Sequence, residues 1–470
     1  MKIDAAMIEQ TLDGASGDVA PATLGSAEGV FDRALAGLFA GKKPRETAQR
    51  LLRSMVARGL RTLSGSHLVV RDRWGRLDLG AEAPAGGSDW LYGTVNVRDD
   101  RFWERIALGG SIGAGEAYAA GWWDSDDPTA VVRIFCRNRD LLARFDATSI
   151  AQPLEKARHW LNANTMKGSR KNISAHYDLG NDFFVLFLDE TMTYSSAKFT
   201  RPEMTLAEAQ RAKIDRLLEL ADVGAGDHLL EIGTGWGALA MRAAERRGCK
   251  VTTTTLSEEQ LQAARARVRA AALDSRIELL KEDYRALTGT YDKLVSVEML
   301  EAVGTKFYDT FFAKCDALLA PGGKMAIQTI TIADQHFERA AKSVDFIQRY
   351  IFPGGAIPSL TAIAQSLTRA TSLKISVVED LTDDYAATLK LWREQLKAGA
   401  QTARRLGYTD EFLRLWDFYF HYCEGGFRER AIGVVQMLIE KPAWPKAKSE
   451  GAAGALGAEG PELTQSGGRA

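Results

Sequence analysis

The chain has 470 residues, a formal net charge of -1, 26% charged and 46% hydrophobic residues, a balance that fits a folded protein of two or three domains and argues against a nucleic-acid partner. Its cysteines, Cys136, Cys249, Cys315 and Cys423, lie far apart without C-x-x-C or Cys/His spacing, so no metal site or disulfide framework is expected and a reducing cytoplasm suits the chain. The start, from Met1 to Ala6, lacks the cationic region and apolar run of a signal peptide, and no apolar stretch approaches the roughly 20 residues that span a bilayer, so any membrane contact is expected to be peripheral.

In chain order, residues 1–30 and 446–470 are rich in small and polar residues and read as disordered ends. Residues 31–63 read as helices, the second with an apolar stripe of Leu51, Leu52, Met55, Val56 and Leu60 among Arg45, Arg50, Arg53, Arg58 and Arg61. Such a helix can lie on anionic lipid, or pack on its own domain with solvated arginines. Short β-type runs at 67–70 and 91–97, then helical pieces at 101–107 and 128–136, complete a small α+β domain over 31–140. A polar helical connector occupies 141–170. From 206 the pattern is helix 206–221, strand 228–232, helix 236–247, strand 250–254, helix 257–273, strands 276–281 and 292–297, helix 305–319 and strand 324–332. That alternation is an α/β doubly wound sheet. Residues 334–370 and 382–425 read as helical insertions over the carboxyl edge of the sheet, a candidate substrate cap, and the apolar run 431–439 as the last strand.

The segment Leu229-Leu230-Glu231-Ile232-Gly233-Thr234-Gly235-Trp236-Gly237-Ala238 ends a β-type run in an acid and three alternating glycines. Glycine permits a sharp strand-to-helix turn and leaves room for a close-packed ligand. Gly233, Gly235 and Ala238 also satisfy the dinucleotide pattern G-x-G-x-x-G/A. That reading expects an acid about 20 residues on to hold the ribose diol, whereas the next strand, Val251-Thr252-Thr253-Thr254-Thr255, ends in none. Glu231 would repel a pyrophosphate but accept hydrogen bonds from the ammonium group of S-adenosylmethionine (SAM). SAM is therefore the expected cofactor, with a plain strand-to-helix turn as the alternative.

Several segments share a further pattern: His176-Tyr177-Asp178-Leu179-Gly180-Asn181-Asp182-Phe183-Phe184, Met192-Thr193-Tyr194-Ser195-Ser196, Val297-Glu298-Met299-Leu300-Glu301-Ala302-Val303-Gly304, Phe352-Pro353-Gly354-Gly355 and Tyr422-Cys423-Glu424-Gly425-Gly426-Phe427. With the Glu231 loop they resemble the cyclopropane-fatty-acid synthase family of SAM-dependent methyltransferases, strongly over about 170–440. Gly110 to Tyr118 and Gly121-Trp122-Trp123 look like the N-terminal domain of its longer bacterial members. The resemblance implies a class I SAM-methyltransferase domain over 171–445, an α/β doubly wound sheet with helical cap insertions, behind a smaller N-terminal α+β domain. It implies that Tyr194 and Ser195 close over SAM, that Gly233, Gly235 and Gly237 cradle its methionine side, and that Thr255, Leu256 and Gln260 contact the ribose. Asp283 would meet the adenine amino group and Tyr284 would flank the ring. Trp122 and Trp123 read as core or interface aromatics.

Family members methylate the double bond of an unsaturated acyl chain esterified in a phospholipid. An alkene is a poor nucleophile, so the site must exclude water and tolerate a carbocation, which predicts an apolar tunnel with few anionic or aromatic groups. In the family a bound bicarbonate, held by a cysteine, a glutamate, a histidine and a tyrosine, then removes a proton so that the ring closes. Glu301 and Tyr385 match two of these positions, whereas Ser196 stands for the cysteine and Gln328 for the histidine. Ser and Gln can still donate hydrogen bonds and Ile330 can offer its N–H, but Gln lacks the imidazolium charge. Two outcomes stay open: cyclopropane fatty acids from a weaker bicarbonate site, or a methyl-branched or methylene lipid with Glu301 as base. The expected partner is the phospholipid bilayer at the inner face of the membrane, and pairing into a homodimer is in keeping with the family. A methyltransferase for a small diffusible acceptor, or a lipid-binding protein without turnover, are the other readings.

Overall fold

The computed structural model describes residues 42–82, 89–141 and 180–443. The expected disordered ends, the first N-terminal helix, the 142–170 connector and the motif residues from His176 to Leu179 lie outside the described residues.

The N-terminal layer opens with helix α1 (Lys42–Leu60). Its apolar stripe divides: Val56 and Leu60 are buried, whereas Leu51 and Met55 are 62% and 60% exposed. Two of its arginines are not simply solvated. Arg45 grips Glu104 through two bonds of 3.0 Å, and Arg53 pairs with Asp72 at 2.5 Å. A four-stranded sheet follows, ordered β2-β1-β3-β4: β1 (Ser66–Asp72), β2 (Gly75–Gly80), β3 (Leu91–Val97) and β4 (Trp123–Asp124). Strands β2 and β4 escaped the sequence reading because one is a largely exposed edge and the other is two residues long. Helix α2 (Arg101–Ala119) runs well past the predicted stop at 107. Gly110, at φ 55 and ψ -133, kinks it in a conformation that side-chain-bearing residues avoid. Helix α3 (Pro128–Arg137) starts as its sequence dictates, with Pro in the first turn and the Asp127 side chain accepting from the Ala130 N–H.

The second layer is a seven-stranded sheet ordered β10-β11-β9-β8-β5-β6-β7. Helix α4 (Leu206–Leu220), opened by a Thr205/Glu208 capping box, leads into β5 (His228–Ile232). Helix α5 (Ala238–Arg247), β6 (Lys250–Thr254), α6 (Glu258–Ala270), β7 (Ile277–Leu280), β8 (Tyr291–Val297), α7 (Tyr308–Leu318) and β9 (Leu319–Ile332) continue it. Strands β5 to β9 pair in parallel, as crossover connections require. Helix α8 (Leu360–Ala370) precedes β10 (Lys374–Asp380), an outermost strand that the sequence reading missed: exposed Lys374, Ser376, Val378 and Asp380 alternate along it with half-buried Ile375, Val377 and Glu379. Helices α9 (Thr382–Arg405) and α10 (Asp410–Arg428) make up the segment expected as the cap, and β11 (Ile432–Glu440) closes the sheet antiparallel to β9 and β10.

The predicted boundary between the two parts is not a boundary in the core. One apolar cluster runs from Trp103 and Trp123 through Phe346 and Phe418 to Phe183 and Trp392. Helix α10 is its shared wall. A Cβ on Gly425 would lie 2.6 Å from Val132 Cγ1, so glycine is what lets α10 approach α3 this closely. Trp123 packs edge-on against Phe418 across this seam at 6.2 Å, which places it, as expected, in an interface.

Candidate active site

At the carboxyl end of β5 the chain turns through Gly233, Gly235 and Gly237 at φ 104, 53 and 88. A Cβ on Gly235 would meet no atom within 4 Å, so this glycine serves the turn and borders open space. Glu231, at the end of β5, is buried and accepts from Thr253 Oγ1 at 2.5 Å. Burial pushes its carboxyl up to about 8, against the opposing pull of Thr253 and Lys213. A buried acid in that state favours a cationic partner, which the ammonium group of SAM would be, so these residues fit that cofactor. Thr255 donates to Gln260 Oε1 at 3.0 Å, and the Gln260 N–H is capped by Ser257, bringing the predicted ribose residues together beside Leu256. The predicted adenine pair is differently engaged. Asp283 carries a two-pronged ion pair with Arg285 at 2.8 and 2.7 Å. Tyr284 packs edge-on against Phe311, its hydroxyl buried without a hydrogen-bond partner.

Tyr194 and Ser195 sit between this edge and the cap. Tyr194 donates to the Tyr419 hydroxyl at 3.1 Å. Ser195 accepts from Lys213 Nζ at 2.6 Å. Lys213 was missed in the sequence, although it stands on α4 in register with buried Ala209 and Leu217, where an ordinary core helix carries an apolar residue. Burial lowers its pKa to about 8, and Glu298, Asp189 and Glu231 resist that fall.

The five residues expected around bicarbonate do meet, but on two carboxylates of the chain itself. Glu301, in a short turn after β8, accepts from the Ile330 N–H and from Thr329 Oγ1, while its Oε2 is buried and unpartnered. Ser196, Gln328 and Tyr385 converge on Glu298, a residue the sequence analysis gave no role. The Ser196 N–H and Gln328 Nε2 donate to Glu298 Oε1 at 2.9 and 2.8 Å, and the Tyr385 hydroxyl to Oε2 at 2.8 Å. The Ser196 hydroxyl turns away to the Ala197 carbonyl. Gln436 fixes the Gln328 amide from behind at 3.0 Å. The donors that bicarbonate would need are thus committed, and the residues present do not fit that ion. Burial pushes both carboxyls up. For Glu301, reaching about 8, the Glu298 charge is the second cause. For Glu298, Lys213 and the three donors oppose burial. Three donors directed at Glu298 suit an ionised carboxylate, whereas Glu301, held up at about 8, keeps its proton near neutral pH.

Both carboxyls and Tyr385 line a cavity of about 930 Å³ that reaches between the sheets to Val70, Val95 and Ile106 of the N-terminal layer. Its volume lies near the top of the roughly 300–1,000 Å³ range of ligand pockets. The expectation of few anionic or aromatic groups is corrected here: Tyr194, Phe352, Tyr419 and Trp123 also line it. Aromatic faces attract cations, so such a wall favours a transient carbocation as well as an acyl chain.

A glycine loop with a buried acid at the carboxyl edge of a doubly wound sheet, opening beside a large apolar cavity, defines a class I SAM-dependent methyltransferase. Residues 164–437 match the family described as mycolic acid cyclopropane synthetase, and the chain belongs to that family. The tuberculostearic acid methyltransferase of Mycobacterium tuberculosis is 42% identical over 384 residues, covering 78% of this chain and 86% of the relative. The cyclopropane-fatty-acyl-phospholipid synthase of Escherichia coli K12 is 34% identical, covering 79% of this chain and 95% of the relative. The solved cyclopropane synthase MmaA2 of M. tuberculosis superposes with a TM-score of 0.55 at 32% identity, covering 58% of this chain and 98% of that one. A mycolic acid cyclopropane synthase solved with SAH and CTAB gives 0.54 at 35%, covering 58% and 98%. The protein is a SAM-dependent methyltransferase related to cyclopropane synthases and other lipid methyltransferases.

Proposed function

We propose that the protein methylates the double bond of an unsaturated acyl chain in a membrane phospholipid, giving a cyclopropane fatty acid. The observation that carries this is the cavity, because it joins the polar site to apolar walls of the N-terminal layer, the shape an extended hydrocarbon needs and a small diffusible acceptor does not. The esterified chain would enter from a peripheral position at the cytoplasmic face of the bilayer, with the exposed Leu51 and Met55 of α1 at the surface. No described helix is long and apolar enough to cross a membrane.

When bound, SAM supplies an electrophilic methyl group. The chain's residues do the rest: Glu231 and the glycine turn hold the cofactor's methionine end, Tyr194 and Tyr419 present polarizable faces to the olefin, and the cavity walls keep water from the cation. A second reading, a methyl-branched or methylene product, is favoured by the Glu298 carboxylate in place of the expected anion site and by the name of the 42% identical relative.

Unsaturated phospholipid vesicles and SAM with a trideuterated methyl group test all of this. Two deuterons with cyclopropane proton signals support ring closure. Two deuterons in an exocyclic methylene, or three in a methyl branch, establish the second reading. Absence of label in lipid defeats the lipid proposal.

A further inference from the structure

Resting on the lipid-methylation reading above, we propose that Glu298 is the proton acceptor of the reaction, a base built into the chain that removes any need for a diffusible anion. Three separate observations converge on it. Glu298 lines the cavity beside Glu301 and Tyr385, so its carboxylate borders the space where the acyl chain would lie. Donors from three distant parts of the chain, Ser196, Gln328 and Tyr385, fix both of its oxygens, an arrangement that orients a carboxylate and stabilises its charge. Its backbone sits at φ 48, with its N–H held by the Gln328 carbonyl at 2.7 Å. A left-handed conformation is unfavourable for glutamate and natural for glycine. Such strain persists where surrounding structure enforces it, and it gathers at functional sites.

The neighbouring carboxyl has a different part. Glu301 has one oxygen held by Ile330 and Thr329 and the other unpartnered, and it keeps its proton while Glu298 is ionised. Two like carboxyls in one dry site divide into an acid and a base in this way. Lys213, buried behind Ser195, adds the positive charge that holds Glu298 in its basic form.

The step balances within the site. The olefin's π pair forms the new C–C bond as the methyl carbon's bond to the sulfonium sulfur breaks with its electron pair left on sulfur, and the adjacent former olefinic carbon becomes cationic. A C–H bond of the substrate then breaks. Its electron pair moves to the cationic carbon, as the third side of a ring or, after a hydride shift, as a double bond. The proton passes to a Glu298 oxygen, giving a neutral carboxylic acid that returns it to water when product leaves. Tyr385 keeps its own proton throughout, since burial and the Glu298 charge hold its pKa far above the usual range; it is a positioning residue.

The test uses the full chain, unsaturated phospholipid vesicles and trideuterated SAM in carbonate-depleted buffer, for the wild type, Glu298→Gln and Glu298→Gly. The wild type is expected to label lipid at a rate that added bicarbonate does not change. Glu298→Gln, which keeps the shape, should bind SAM normally and lose about 1,000-fold in rate, within the roughly 10²–10⁴ range for a general base. Glu298→Gly, which relieves the backbone strain and opens the carboxylate's place, should be as inactive but regain tenfold or more with formate or bicarbonate, whereas Glu298→Gln should not. A purely structural Glu298 would show no such rescue. Glu298→Gln within threefold of the wild type, or a wild type that requires bicarbonate, overturns the assignment. A wild type that puts no label in lipid overturns the substrate reading instead, and this outcome is separate because it is read before any variant is compared.

Discussion

The cofactor edge and the carboxylate site lie at the same end of one sheet, yet they are assembled in opposite ways. The cofactor edge is local: Glu231, the three glycines, Thr255 and Gln260 fall within thirty positions of one another, and backbone conformation does most of the shaping. The carboxylate site is non-local. Ser196, Gln328 and Tyr385 reach Glu298 across 102, 30 and 87 positions respectively, and side chains rather than backbone turns define it. A local site is robust to distant change and sensitive to backbone substitution. A convergent one can be retuned by one side chain that fills it.

The sharpest way to break that comparison is Gly235→Val. At φ 53 a β-branched residue is strained by roughly 1–3 kcal/mol, and its methyls would project into the open space beside the turn. SAM affinity should fall about 100-fold by calorimetry, at about 1.4 kcal/mol per tenfold, with circular dichroism unchanged. Affinity within threefold of the wild type would mean that the glycine turn serves only the fold.

The carboxylate site should respond to pH where the glycine turn does not. Glu301 and Lys213 both titrate at about 8, the acid raised and the lysine lowered by burial. Below that value Glu301 is neutral and Lys213 charged. Above it Glu301 gains a charge beside Glu298 while Lys213 loses its own, so turnover falls. Of the other groups facing this cluster, Glu231, also pushed up to about 8, would be paired with the cofactor's ammonium group at saturating SAM, Asp189 is raised by burial, and Tyr385 from α9, Tyr308 from α7 and Tyr419 from α10 are raised by burial and stay protonated in this window. With saturating SAM, the wild type should lose up to a hundredfold per pH unit on the alkaline limb, and Glu301→Gln about tenfold, because one of two groups is gone. An identical limb in both proteins would remove Glu301 from the pH response.

At the far end of the cavity, Ile106→Trp adds bulk where a half-buried side chain lines the space. A roughly tenfold rise in KM for long acyl chains, with shorter chains and SAM binding unaffected, is the expected result, comparable to a methylene-scale mismatch of about 1–3 kcal/mol in an apolar pocket. Equal loss for all chain lengths would place the acyl group elsewhere.

This division also explains what could be read in advance. The parallel strands and the glycine turn were legible because apolar runs, breakers and positive-φ residues are adjacent in sequence. Strand β10 was not, since an outer strand buries half of each second residue and carries charge. The resemblance implied Ser196, Gln328, Ile330 and Tyr385 around a separate anion, whereas in the fold the first, second and fourth donate to Glu298 and Ile330 donates to Glu301. Glu298 looked like one more residue after a strand. Only φ 48 and the three incoming donors reveal what it does, and neither is visible without the fold. Lys213 left a better signal, a lone cation on the apolar face of α4.

The smallest expected effect lies outside both sites, on α1. Leu51 and Met55 are more than half exposed, while the same helix is pinned to its own layer by Val56, Leu60, Arg45 and Arg53. Replacing both exposed residues by glutamate should leave the melting temperature within a few degrees, because exposed sites rarely shift stability by more than about 0.5 kcal/mol. SAM binding should not change. Partitioning onto anionic vesicles should drop by roughly threefold to tenfold, since each apolar side chain fully removed from water contributes about 1.5–3 kcal/mol and these would be only partly inserted. Activity on vesicles should fall in parallel and return with detergent-dispersed lipid. If vesicle binding is unaffected, α1 faces solvent during turnover, and the lipid must reach the cavity from another surface.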